Sequence, residues 1–303
     1  MTALPAGVGA LPPVVARVRG GEALRLLLRR PSSVVSWTFL VLLVLITVAA
    51  PLLAPADPVA QNFNTTLLAP GAPGHLAGTD NLGRDQLSRL LYGGRPILLT
   101  AVCSVVVSTV VGTLLGMWAG FRRGWLDTVV ARSMDILLSF PLILLAIMIV
   151  AALGSGVQNV ILAIAISQLP VFARLARALT MREADREYVL AVRAAGFGPA
   201  RILFREILPN LVGPVIVQAT STVAVATGLT AALSYLGLGV QPPTPDWGLM
   251  VKEAQEFLFD APDLAVVPGA LITLFVLACN FAGDDLRDVL DPGNSMTGKA
   301  ARA

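Results

Sequence analysis

Histidine, cysteine and charge are all scarce in this chain, and each scarcity removes a class of function. His75 is the only histidine, so no imidazole cluster exists to hold a metal, and a lone histidine reads as a satisfied polar residue. The two cysteines, Cys103 and Cys279, fall inside separate apolar runs. They lack the local spacing of a zinc pair, and each reads as a small apolar packing residue. The His-Glu-x-x-His and Gly-x-Ser-x-Gly patterns do not occur, which leaves no enzyme constellation. One decoy exists: Gly293 to Gly298-Lys299 has the spacing of a phosphate-binding loop. Ala300 stands where the magnesium-holding Ser or Thr belongs, and neither a preceding strand nor a following helix is expected to present amides to a phosphate. The chain is therefore not expected to be an enzyme or to hydrolyse ATP.

Only 14% of the residues are charged and 55% are hydrophobic, with a mean hydropathy of +0.76. Soluble domains carry roughly 25% charge. Six apolar runs stand out, at about Val34–Ala54, Ile97–Gly120, Ile136–Leu153, Val157–Phe172, Leu211–Leu233 and Leu264–Phe281. About 20 residues cross a bilayer, so the fourth run spans only if Arg174 and Arg177 snorkel from its end. Backbone groups in lipid must be satisfied within the segment, so the runs are expected to be helices. The alternating strands of a barrel are absent. Placing the N-terminus inside puts 18 of the 22 basic residues on that side and leaves Arg84, Arg89, Arg95 and Lys252 outside. Both termini are then cytoplasmic. The net charge of +3 marks a membrane surface rather than a nucleic-acid partner. The first run is too long for a cleaved signal.

Between the fourth and fifth runs lies a charged stretch, Arg186 to Asn210. Tyr188, Val189, Val192 and Ala195 share one helical face. Gly196 suits a left-handed helix stop, Pro199 the first turn of a second helix, and Pro209 its end. These residues resemble the EAA loop of bacterial ABC importer permeases, the element that docks on the cytoplasmic ATPase. Leu190-Ala191-Val192 occupies the Glu-Ala-Ala site, Gly196 follows at the family spacing, and Leu208-Pro209 comes twelve residues later. Leu190 replaces the family's glutamate, and Glu187, one turn earlier, is the candidate to substitute for it. The resemblance implies that residues 183–208 form a coupling hairpin carried by Glu187, Tyr188, Leu190, Ala191, Val192, Gly196, Leu208 and Pro209.

A second segment, His75 to Arg95, reads as a short amphipathic helix at the outer interface. Thr79 or Asp80 would cap it, Asp80–Arg84 and Asp85–Arg89 would pair four apart, and Gly93-Gly94 would end it before Pro96 opens the second span. Gly78-Thr79-Asp80, Gly83-Arg84-Asp85 and Ser88-Arg89 also resemble the signature of the C-type permease subunit of dipeptide, oligopeptide and nickel importers. Ser234–Gly248 and Asn280–Pro292 are similar to two further blocks of that family. The resemblance covers residues 34 to 292. It implies an all-α membrane protein with six transmembrane helices in the type I ABC importer permease architecture, in the bacterial plasma membrane. It implies as partners a homologous second permease, two cytoplasmic ATPases, an extracytoplasmic substrate-binding protein and membrane lipid, with no nucleic acid. No cofactor is expected on this chain, ATP and Mg being bound by partner subunits. The domains expected are an N-terminal arm (1–33), a first span with an external segment (34–95), a core (96–284) and a tail (285–303).

The middles of the runs lack charge. That argues against an ion-coupled carrier, the rival class, which places ionisable groups there. The fifth run instead carries Gln218, Ser221 and Thr222 on one stripe. Two readings stand: helix-packing glue, or one wall of a translocation path for peptide. The sequence leaves the cargo open among peptides, nickel and other small solutes.

Overall fold

A computed structural model describes residues 31–290; all but the last three residues of the N-terminal arm, most of the tail and the Gly293–Lys299 decoy lie outside the described residues. Among the described residues there is no strand, short 3-10 helices lie at Phe63–Thr65 and Ala254–Phe257, and ten α-helices account for the architecture. They are α1 (Pro31–Val48), α2 (Ala50–Leu53), α3 (Gln86–Arg122), α4 (Gly124–Leu138), α5 (Leu142–Leu153), α6 (Val157–Ala184), α7 (Glu187–Ala194), α8 (Pro199–Tyr235), α9 (Trp247–Glu253) and α10 (Asp263–Leu290). Four of them, α3, α6, α8 and α10, are long and apolar enough to cross a membrane.

The six apolar runs thus become four whole spans, one broken span and one shorter apolar helix at the start. The third run is not continuous. Ser139-Phe140-Pro141 interrupts it, and α4 and α5 meet at a 94° bend. Pro141 lacks an N–H and disfavours helical geometry at Phe140, so the chain turns there.

Other expected breaks do not occur. Gly93-Gly94 and Pro96 all lie inside α3. The two glycines clear a flat surface for Trp247, whose ring stands 2.8–2.9 Å from where their Cβ atoms would be. The Trp247 indole N–H donates to the Leu90 carbonyl at 2.8 Å. Pro209 likewise sits within α8 rather than ending a helix. A π-helical stretch, Ile202–Ile207, immediately precedes it, and the wider winding accommodates a residue with no N–H.

The bundle is organised on the α3–α6 pair. Ser104, Ser108, Gly112, Gly116 and Gly120 recur every four residues on the buried side of α3. A Cβ on Gly112, Gly116 or Gly120 would strike Phe172 or the backbone of Leu169, Ala173 and Arg177. Small residues bring the two backbones together, the means by which membrane helices pack without a hydrophobic driving force. One apolar core joins α3, α5, α6, α7 and α8 around Phe172, Ile164 and Leu211. A second gathers Leu43, Leu90, Ile97, Phe275 and Cys279 around Trp247. Cys103 and Cys279 are free thiols.

Candidate functional site

At one end of the bundle, α7 and the start of α8 form a hairpin. Gly196 closes α7 with a φ of +82°, and its N–H donates to the Arg193 carbonyl at 3.0 Å. Pro199 opens α8 in its first turn, where its missing N–H costs nothing. Val189, Ile202, Leu203 and Ile207 are buried against the bundle and Val192 packs beside them. Leu190, Ala191, Phe197 and Phe204 face outward. Gly196 itself has open space around it.

Of the remaining hairpin residues, Glu187 is exposed at the start of α7, and Leu208 is half-buried on the core. Pro209 is exposed beside it. The carboxylate that the hairpin root buries is Glu183, from the last turn of α6. It accepts from the Tyr188 hydroxyl at 3.0 Å, and Tyr188 accepts in turn from Asn210 at 2.9 Å. Glu183 and Asn210 were not singled out from the sequence. They are joined only through Tyr188, across 27 positions, and no helical period signals the link.

At the opposite end, the segment 75–89 is a buried knot rather than an amphipathic surface helix. The helix begins only at Gln86, with Asp85 as its cap: the Asp85 carboxylate accepts from the Ser88 N–H and the Ser88 hydroxyl, both at 2.8 Å. His75 meets the other Asp85 oxygen at 2.9 Å. The Asp80–Arg84 pair forms at 2.5 Å, but Arg84 is 2% exposed and Arg89 1%. Arg89 pairs with Asp80 (3.4 Å) and with Glu253 of α9 (2.7 Å), and Arg84 reaches the same Glu253 oxygen at 3.0 Å. The backbone folds back because Gly83 takes a φ of +70°. A Cβ there would collide with the Asn62 carbonyl, as one on Gly78 would with Leu68. Thr79 joins the knot by donating to the Thr65 carbonyl and accepting from the Leu68 N–H. Arg84 and Arg89 therefore tie the segment to α9, while the other signature residues fold it on itself. Consecutive buried charges have no period that the sequence could display, which is why the segment reads as a surface helix.

Beside this knot, Asp246 caps α9 and is fully buried. One of its oxygens accepts from the Leu249 N–H at 3.1 Å. Burial pushes its carboxyl up to about 6 from 3.8, only partly offset by backbone donors. A raised acid pKa means that the fold favours the protonated form. The contribution of this group to stability is therefore greatest in acid and falls as pH rises from about 4 to about 6, then levels off. Asp246→Asn keeps the cap and removes the charge. It should unfold like the parent near pH 4 and outlast it at pH 7.5, by up to about 3 kcal/mol at 1.4 kcal/mol per unit. Thermal unfolding in detergent at the two pH values checks this, and an equal difference at both contradicts it.

The polar stripe of α8 lies between the two ends. Thr222 is buried and bonds back to the Gln218 carbonyl at 2.8 Å, while the Gln218 amide reaches Thr222 Oγ1 at 3.3 Å. Ser221 is half-buried against Gly283 of α10. Gln218 and Ser221 keep partial exposure.

An apolar helical bundle with a locked polar knot at one end and an outward-facing apolar hairpin at the other has the build of a polytopic permease subunit. Comparison with known proteins makes the class specific. Residues 112–295 match the family described as "Binding-protein-dependent transport system inner membrane component", and residues 19–70 match the "N-terminal TM domain of oligopeptide transport permease C". The chain is 47% identical over 260 residues to the di/tripeptide transport system permease protein DppC of Pseudomonas aeruginosa, covering 84% of this chain and 86% of that one. It is 42% identical over 273 residues to the glutathione transport system permease protein GsiD of Pectobacterium atrosepticum, covering 89% and 90%. Among solved structures, an inward-facing form of the MetNI methionine ABC transporter shares the fold, with a TM-score of 0.56 at 22% identity over 67% of this chain and 97% of that one. The chain belongs to the permease subunits of binding-protein-dependent ABC importers, in the oligopeptide permease C branch.

Proposed function

We propose that the chain forms one half of the translocation path of an ATP-driven importer of short peptides. A homologous second permease supplies the other half, two ATPases dock on the hairpin, and an extracytoplasmic binding protein delivers cargo at the knot end. The chain itself needs no cofactor, ATP and Mg being held by the ATPases. The hairpin and both termini face the cytoplasm of a bacterial plasma membrane, as the distribution of basic residues favours. Residues 96–284 make up the core of the permease half, with Gln218 and Ser221 on its path side.

The observation that carries this reading is the hairpin. It presents Leu190 and Phe197 outward from a base of buried aliphatic residues. Exposed apolar residues clustered beyond the spans mark a partner contact. Peptide cargo is supported by the relatives, whose names specify dipeptides, di/tripeptides and glutathione.

Gly196→Pro tests the coupling role. Proline fixes φ near −65°, incompatible with the +82° of this residue, and it removes the bond to Arg193. Nothing packs on Gly196, so the spans should insert and pair as before. Co-purification of the ATPases should fall by about tenfold or more, the equivalent of losing some 1.4 kcal/mol of docking energy, and uptake should cease. Full ATPase retention with normal uptake would remove the hairpin from the mechanism.

A further inference from the structure

Three polar side chains from three elements meet at the root of the hairpin. Glu183 belongs to the last turn of α6, Tyr188 to the first turn of α7, and Asn210 to α8 just after Pro209. The Tyr188 hydroxyl donates to Glu183 Oε2 at 3.0 Å and accepts from Asn210 Nδ2 at 2.9 Å. The outer members are themselves fixed. Glu183 Oε1 pairs with Arg186 at 3.1 Å, and the Asn210 amide also donates to the Glu206 carbonyl at 3.0 Å. The Glu183 side chain is only 5% exposed, and burying a carboxylate is costly unless it is paired and hydrogen-bonded. Burial and the neighbouring carboxylate push the Tyr188 phenol up to about 12, so the hydroxyl keeps the proton that it donates.

The other links between α7 and the bundle are the apolar contacts of Val189 and Val192 and the Arg193 guanidinium over the Phe121 ring at 5.1 Å. Apolar contacts are non-directional and permit sliding, whereas a hydrogen bond weakens steeply off its axis. The two helices joined through Tyr188 matter for transport. α6 packs on the glycine stripe of α3, and α8 runs past Gln218 and Ser221 to the opposite end of the bundle.

We infer that the Tyr188 hydroxyl is the junction that makes α6, the hairpin and α8 move as one body, so that a displacement of α7 reaches the path helix undiminished. Tyr188 is a positioning residue in this scheme, and the inference rests on the hairpin being the ATPase contact. Glu187, exposed at the surface of α7, takes no part in the junction. Its inner anchor is Glu183.

The test is a distance measurement within the assembled complex. With Cys103→Ala and Cys279→Ala as background, spin labels are placed through Ala195→Cys on the hairpin and Leu236→Cys at the far end of α8, both exposed positions. In the parent, the distance distribution should stay narrow and unshifted between the nucleotide-free and the ATP–vanadate states. Tyr188→Phe keeps the ring and removes only the hydroxyl. It should keep its ATPases, broaden the distribution about twofold and lower uptake per ATP hydrolysed, because hinge-like freedom replaces rigid transfer. Glu183→Gln retains an acceptor and should stay narrow, while Glu183→Leu should broaden. A distribution in Tyr188→Phe or Glu183→Leu as narrow as the parent's overturns the inference. Loss of the ATPases from Tyr188→Phe also overturns it, by showing a docking role instead. Failure of the hairpin reading itself would appear separately, as a Gly196→Pro complex that still holds its ATPases and transports.

Discussion

Gly116→Val is expected to abolish the folded chain, the largest effect of any single substitution in the transmembrane helices. A Cβ at this position would overlap the Ala173 carbonyl oxygen and come within 2.9 Å of the Ala173 carbonyl carbon and the Arg177 nitrogen. All three are backbone atoms of α6, so no rotamer change relieves the clash. The helices must separate along a seam that also relies on Gly112 and Gly120. The penalty should exceed about 4 kcal/mol, the range reserved for overpacking at a rigid contact. Gly269→Ala is the control. That glycine lies in α10 with nothing within 4 Å of its Cβ position, and exchanging a helical glycine for alanine should be neutral or gain up to about 1 kcal/mol. The yield of monodisperse protein in detergent and its thermal midpoint distinguish the two. Equal behaviour would mean that the α3–α6 seam is looser than described.

Arg89→Met should have the next largest effect, about 3–5 kcal/mol, because it leaves buried carboxylates short of a countercharge. Asp80 and Glu253 would then share Arg84 alone. Glu253 is partly exposed, so water can relieve it; Asp80 has no such access. Replacing the pair together, as Arg89→Met with Glu253→Met, should recover much of the loss, since an apolar substitute for a whole buried ion pair is often nearly neutral. A double-mutant cycle on thermal stability reads the coupling. Strict additivity would show that Arg89 and Glu253 do not act as a unit, and that the signature segment is held by its backbone turns alone.

The sequence announced the hairpin, the spans and the family, but it misled on the knot. Span positions are a matter of composition, and lipid leaves a helix as the only solution for an apolar run. Gly196 was legible because helix stops have their own chemistry. Hydropathy makes the third span read as whole because it ignores what Pro141 does to direction. Gly93-Gly94 suggests a break because an isolated glycine pair lowers helix propensity, yet the pair admits Trp247 from more than 150 residues downstream. Arg84 and Arg89 suggested a wet surface because arginines are seldom fully buried. Their partner Glu253 lies beyond four intervening spans, outside any local pattern. Glu183 and Asn210 give no signal of their own, because they join only through the Tyr188 hydroxyl.

The most direct measurement of the account as a whole is uptake in proteoliposomes. The chain is reconstituted with its second permease and two ATPases, with binding protein added outside and ATP enclosed, and labelled di-alanine as the probe. Accumulation should require every one of these components, and the chain alone should accumulate nothing under a proton or sodium gradient. Accumulation of the dipeptide by the chain alone, driven by an ion gradient, would contradict the account at its centre.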